Sequence, residues 1–206
     1  MKLIKQFIRY SLITYVIIGL VYWIFIRPYH ICWGATNEEQ KMKLPGDELI
    51  SANSFVSTRA ITIYATKERI WPRIAQTGQN RGGFNSYQWL ENLFTANMKN
   101  ANSIDSSLLQ IKQGDTLYLA QAGPYILVTG IESGRYISMT GWTLYLKSID
   151  SATTRLIVRY PSFEIKKGLL NAIYYYGIFE SAHFIMESGM MLGIKKHAEE
   201  IPEKIN

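Results

Sequence analysis

One cysteine in 206 residues, Cys32, leaves no means of building an internal disulfide framework, a condition compatible with either face of a membrane. There is no run of five basic residues. The net charge of +6 and pI near 9.3 come from scattered Lys and Arg, so the basic excess points to anionic lipid headgroups and not to nucleic acid. No G-x-S-x-G segment occurs, and the sole thiol stands beside the most apolar part of the chain, so neither offers a nucleophile. The glycines of "GQNRGG" lack the lysine and the strand-to-helix context of a phosphate loop. E-x-x-H occurs once, at Glu180 and His183, with Glu187 on the same helical face. A metal site of that type needs partners from other elements, and Cys32 and His30 lie far off in sequence. A hydrogen-bonded His183 is therefore preferred to a metal, and nothing calls for a cofactor.

What is abundant is apolar side chain, at 48% of residues, and it is unevenly spread. Residues Tyr10–Ile26, "YSLITYVIIGLVYWIFI", carry no charge; as a helix they span roughly 26 Å, near the hydrocarbon thickness of a bilayer. Tyr22, Trp23 and Tyr29 stand where interfacial aromatics belong. No small-residue cleavage site follows Ile26, so a retained membrane anchor is expected over residues 1–32. Lys2, Lys5 and Arg9 before the span against Arg27 just after it put the N-terminus inside and the remainder outside, a bias that Lys41 and Lys43 weaken.

Residues 33–56 hold the turn formers Pro45-Gly46-Asp47 without sustained periodicity and read as a linker leaning on a domain. That domain is expected over 57–200. "STRAITIYAT" (57–66) alternates as a strand, "KERIWPRIAQTG" follows as a short helix, and "NSYQWLENLF" has helical spacing, with Tyr87, Leu90 and Phe94 on one face. From about Leu108 the chain becomes five or six short strands meandering through tight turns. Residues Lys166–Glu200 are long, apolar and helical in period, with a break or kink expected first at Gly177. The order predicts an α+β fold in which a curved antiparallel sheet wraps a long C-terminal helix, with a cavity between them.

This order of elements resembles the helix-grip fold of the START/polyketide-cyclase superfamily, and the motifs are similar to a bacterial, membrane-anchored SRPBCC branch of it. The matching pieces are "WGAT" (33–36), "LPGDEL" (44–49), "TRAITI" (58–63), "GQNRGGFNSYQWLENL" (78–93), "QGD" (113–115), "TRLIVR" (154–159) and "HFIME...MLGIK" (183–195). Asn85 and Gln88 depart from it, standing where the family tends to have Tyr and Asp. The resemblance implies a hydrophobic or amphipathic small-molecule or lipid ligand and no defined reaction.

Within "NRGGFNSYQWLENL" the pair Gly82-Gly83 permits a tightly turned loop, so Arg81 and Phe84 are candidates for the mouth of a cavity, and Tyr87 for its lining. Glu91 is expected to pair locally with Arg81, and His183 to orient a ligand. Arg81, Gly82, Gly83, Phe84, Tyr87, Glu91 and His183 are thus the candidate ligand-binding residues. Two rival functions stay open: a cyclase, aromatase or hydrolase built on Asp115, Glu91 and His183, and an interaction module presenting Tyr174-Tyr175-Tyr176 to a partner or a membrane surface.

Overall fold

The computed structural model describes residues 2–52, 54–93, 95–162 and 168–200. Helix α1, Lys2–Val21, widens into a π-helical turn at Tyr22–Ile26 and continues as α2, Arg27–Cys32. Beyond Arg9 apolar residues surround the helix, and no residue of α1 is buried; the helix Lys2–Cys32 is long and apolar enough to cross a membrane. In hydrocarbon a helix satisfies its own backbone polar groups, so a segment with no polar face still has a stable form.

The sheet has six strands: β1 (Val56–Ile63), β2 (Thr116–Tyr118), β3 (Tyr125–Glu132), β4 (Tyr136–Met139), β5 (Trp142–Ser148) and β6 (Thr154–Pro161). Their order is β1-β6-β5-β4-β3-β2, and every neighbouring pair is antiparallel. Hence the first strand closes against the last, and the expected meander forms the rest. The β4–β5 turn has positive φ at both central residues, Thr140 and Gly141, the geometry whose twist matches that of the flanking strands.

Two helices lie between β1 and β2: α4, Lys67–Ala75, and α5, Gln88–Leu93. Phe94, assigned to the face of α5, lies outside the described residues, as do Lys166 and Lys167. The C-terminal helix begins as α6, Leu169–Tyr174, passes through a π-helical turn at Tyr175–Phe179 that contains Gly177, and continues as α7, Glu180–Glu199. The irregularity falls where glycine was expected to place it, whereas Gly189 and Gly193 lie in unbroken helix. On one face of the sheet, Ile63, Leu144, Leu156 and Val158 pack with Ile70 and Ile74 of α4 and Met191 and Ile194 of α7. Ile63, Ile70, Ile74, Met191 and Ile194 are wholly buried, each contributing about 1.5–3 kcal/mol.

Residues 33–56, expected as a linker leaning on the domain, pack on it and also fold locally. Thr36 and Glu39 form a capping box, Glu39 N–H donating to Thr36 Oγ1 at 3.2 Å and Thr36 N–H to Glu39 Oε2 at 2.8 Å, which starts the short helix α3, Asn37–Lys41. Residues 33–49 lie over the outer face of β1 and β6, where Arg155 and Arg159 face them. Arg155 Nε donates to Glu39 Oε1 at 2.7 Å. Arg159 donates to Asp47 and to the backbone carbonyls of Glu39, Gln40 and Met42 at 2.6–3.1 Å. A second small core of Leu44, Ala60 and Ile157 forms beneath them. Both faces of β1 and β6 are therefore covered, which explains why β1 is buried on successive residues and not on alternate ones.

Candidate functional site

A cavity of about 820 Å³ lies between the sheet and the C-terminal helix. Its walls are mainly apolar: Ile126 and Leu127 of β3, Met139 of β4 and Trp142 of β5 face Ile178, Ala182, Met186 and Met190, with Phe84, Ala96 and Met98 closing one side. The volume falls within the roughly 300–1,000 Å³ of pockets that hold one drug-sized ligand. Among the titratable groups in its lining are Glu91, Tyr160, His183 and Glu187.

Glu187 is fully matched. It forms an ion pair with Arg59 in which both side chains are about 1% exposed, accepts from Trp142 Nε1–H at 2.9 Å, and lies 3.8 Å from His183 Nε2. Arg59 reaches it from β1 because the inward positions there are Arg59, Ile61 and Ile63. Its Nε–H donates to the His30 carbonyl at 2.8 Å, and the guanidinium lies over the Phe184 ring. His183 stacks on Tyr160 with centroids 3.8 Å apart. Burial, aided by the charge of Arg59 and opposed by Glu187, lowers the His183 pKa to about 4, so its imidazole is neutral at pH 7. Burial also raises the Tyr160 phenol. The cluster is well made for holding α2, β1, β5 and α7 together.

Glu91 differs. The residue is 1% exposed, and its Oε2 has no hydrogen-bond partner among the described residues. Burial alone raises its pKa to about 7. The expected pairing with Arg81 does not form: the Arg81 guanidinium donates instead to the carbonyls of Ala75, at 3.1 Å, and Leu108. Asp115, the third member of the proposed acid–base set, bonds the backbone of its own turn at Lys112 and is absent from the cavity lining.

The seven candidate ligand-binding residues separate into two groups. Phe84, Glu91 and His183 line the cavity, whereas Arg81, Gly82, Gly83 and Tyr87 do not. Gly83 has φ +75° and N–H and C=O groups paired with Gly78; a Cβ there would strike the backbone at Lys99 and the side chain of Asn100. The loop is therefore locked by close packing, and its glycines answer a steric demand. Tyr87 lies across α7, where a Cβ on Gly189 would meet its ring at 2.7 Å, and a Cβ on Gly193 would strike the Asn85 carbonyl. Ser86 Oγ–H donates to the Met186 carbonyl at 2.8 Å. The glycines of α7 thus permit close approach of the 85–87 segment.

Contacts that sequence reasoning missed tie the N-terminal helix to this site. Trp23 packs on Tyr176 with centroids 5.1 Å apart, Arg27 pairs with Glu180 at 3.0 Å, and His30 stacks on Phe184 at 4.3 Å. Both partners advance together, so the N-terminal helix and the C-terminal helix run parallel and side by side. Arg27 also sits against the rings of Trp23, Phe55 and Tyr176. The conspicuous signal was an arginine directly after an apolar span; its partner, Glu180, lies 153 residues away. Leu170 precedes Tyr176 by about 9 Å along the helix, toward the N-terminus of the anchor. Leu170 is 82% exposed, and Ile173, Tyr174 and Ile178 are exposed too. Tyr174 and Ile178 also line the cavity.

Neither a family model nor a curated protein matches the chain. Among solved structures, a conserved protein of unknown function from Enterococcus faecalis is similar at 14% identity and a TM-score of 0.40, over 76% of this chain and 80% of its own. A protein of unknown function from Staphylococcus aureus is similar at 9% identity and a TM-score of 0.36, over 73% of this chain and 100% of its own. What the coordinates define is an α+β domain, with a six-stranded antiparallel sheet and a long C-terminal helix, carried on an N-terminal apolar helix.

Proposed function

We propose that the protein is a membrane-anchored binding protein for a hydrophobic or amphipathic small molecule or lipid, which it exchanges with the bilayer holding its anchor. One observation carries this reading: the cavity shares part of its wall, Tyr174 and Ile178, with an exposed apolar helix lying alongside the anchor. An apolar surface of that kind is costly in water and favourable against lipid. With the anchor embedded, the same residues border both the bilayer and the cavity, so a ligand passes between them without crossing water. The long helix packed across the antiparallel sheet supports a helix-grip, SRPBCC-like reading of the domain. The basic residues before the span favour a cytoplasmic N-terminus with the domain outside.

Binding is preferred to turnover because the polar residues of the cavity do not converge. Asp115 is elsewhere, His183 is neutral, Glu187 is occupied by Arg59 and Trp142, and Glu91, the one cavity group brought near neutral pH, makes no contact with any of the three. The tyrosine run suits the bilayer better than a soluble partner, since Tyr176 is held by Trp23 of the anchor.

The test is mass spectrometry of small molecules extracted from the full chain, purified in detergent, beside an Ala182→Trp variant whose indole fills the cavity from α7. A lipid or other apolar molecule retained by the wild type and lost from the variant is expected. Equal extracts from both, together with no thermal shift from any of a panel of lipids, would refute the reading.

A further inference from the structure

A buried carboxyl group facing an apolar cavity needs a partner, and the other buried carboxylates among the described residues have one. Glu39 is paired with Arg155, Glu180 with Arg27 and Glu187 with Arg59. Each of those arginines comes from an element distant in sequence, so at these three sites the fold supplies a cation to the negative charge it encloses. Glu91 breaks the pattern. It is as buried as Glu187, yet no charged neighbour perturbs it, its Oε2 is unpartnered among the described residues, and it faces the cavity beside Phe84, Ala96 and Met98. An unmatched polar group of this kind is costly unless something else bonds it.

We propose that the ligand is a single-chain amphiphile whose head presents an O–H or N–H donor, and that Glu91 Oε2 accepts from that head. The inference rests on the cavity being a ligand site and adds the class of ligand. Volume sets the chain number. At about 30 Å³ per methylene, similar to the volume of a water molecule in the liquid, a cavity of about 820 Å³ holds one long chain with its head but not two. Polarity sets the head. Glu187 is already bonded by Arg59 and Trp142, which leaves Glu91 as the cavity carboxyl with an open oxygen. At about pH 9, where the displacement below is read and Glu91 is ionised, a head that only accepts hydrogen bonds gains nothing from the carboxylate, whereas a hydroxyl or amine supplies the missing donor. The chain then extends over Met98, Met139 and Met190, side chains that adapt to irregular apolar shapes.

The experiment uses the full chain in phosphatidylcholine nanodiscs, with protein-free nanodiscs subtracted, and pyrene as a fluorescent apolar probe without a polar group. At about pH 9 pyrene is displaced in turn by 1-dodecanol and by dodecyl methyl ether, which share a chain length and differ in the donor. The expected result is pyrene uptake by the protein, with the alcohol displacing it at about tenfold or more lower concentration than the ether, as befits one hydrogen bond to a carboxylate. Glu91→Leu should bring the alcohol-to-ether ratio close to one, whatever its own affinity for pyrene. Glu91→Gln, which keeps an acceptor oxygen, should retain an intermediate preference and shows that the loss in Glu91→Leu is not one of folding. Pyrene uptake with equal displacement by alcohol and ether would overturn the donor-head inference while leaving the cavity reading intact. No uptake of pyrene beyond the protein-free nanodiscs would overturn both.

Discussion

Replacing Arg59 by Met removes a guanidinium and keeps most of the length of its stem. In the native protein that guanidinium is the counter-charge of Glu187, with both side chains about 1% exposed, and it also bonds the His30 carbonyl of α2. The variant leaves a buried carboxylate with the Trp142 N–H and a neutral imidazole. Breaking a buried pair from one side costs about 3–5 kcal/mol, a large share of the roughly 5–15 kcal/mol that holds a typical domain together. Glu187→Leu strands the arginine and should cost a similar amount. The double variant, Arg59→Met with Glu187→Leu, encloses no uncompensated charge and should recover most of the loss, giving a coupling of about 2 kcal/mol or more in a double-mutant cycle. The imidazole provides a second readout. Arg59 lowers the His183 pKa and Glu187 raises it, so in Arg59→Met the pKa should climb from about 4 towards its ordinary range. Denaturant unfolding of the full chain in detergent, followed by tryptophan fluorescence, measures the cycle, and histidine NMR measures the titration. Single variants that each cost under about 1 kcal/mol, or a double variant as unstable as the two losses added, would refute a stability role for the pair.

Glu91 and His183 should give opposing pH signatures. The Glu91 pKa is raised from 4.5 to about 7, so its contribution to stability is complete below pH 4.5 and lost as pH rises to about 7. Glu91→Gln should therefore be more stable than wild type by about 2 kcal/mol at pH 8, after discounting for water reaching the cavity, with the gap closing below pH 4.5. The His183 pKa is lowered from 6.5 to about 4, so its contribution is complete above pH 6.5 and lost as pH falls to about 4. The two slopes offset each other where they overlap, and Glu91→Gln should unmask a rise of stability with pH that thermal unfolding across pH 4–8 detects. Gly193→Ala drives a methyl group into the Asn85 carbonyl and should cost about 1–3 kcal/mol, measured by the same denaturation. Arg159→Met removes the donors to Asp47 and to three backbone carbonyls of 39–42. It should loosen that segment, so limited trypsin digestion should cut after Lys41 or Lys43 faster than in wild type; unchanged cleavage rates would show that Arg159 does not hold it.

Much of the architecture was legible in local patterns. The charge-free run of 10–26, the alternation at 57–66 and beyond 108, and the helical period after 166 each depend on neighbouring residues, because backbone geometry fixes side-chain periodicity within an element. Even the irregularity at Gly177 followed from local composition. The capping box of Thr36 and Glu39 was equally local and announces α3, although the surrounding 33–56 stretch, without periodicity, reads as a linker.

The composition of the site was a different matter. Phe84, Glu91 and His183 reach the cavity, whereas Arg81, Gly82, Gly83 and Tyr87 do not, although all but His183 share one short stretch of sequence. Spacing along a chain carries no information about which residues of a turn face inward once the turn is packed against a distant helix, as the 85–87 segment is against Gly189 and Gly193. The ion pairs make the same point: Arg27 with Glu180, Arg59 with Glu187 and Arg155 with Glu39 join residues more than 100 positions apart, and each partner alone reads as an ordinary charged residue. The sequence by itself determined the long apolar N-terminal helix, the order of strands and helices and the class of fold, since these arise from hydrophobic period and length. Tertiary packing decided that this helix runs beside the C-terminal helix, that four arginines bind the early segment to the domain, and that Glu91 Oε2 is left without a partner among the described residues at a cavity wall, because charge pairing and burial depend on distances that only the folded chain sets.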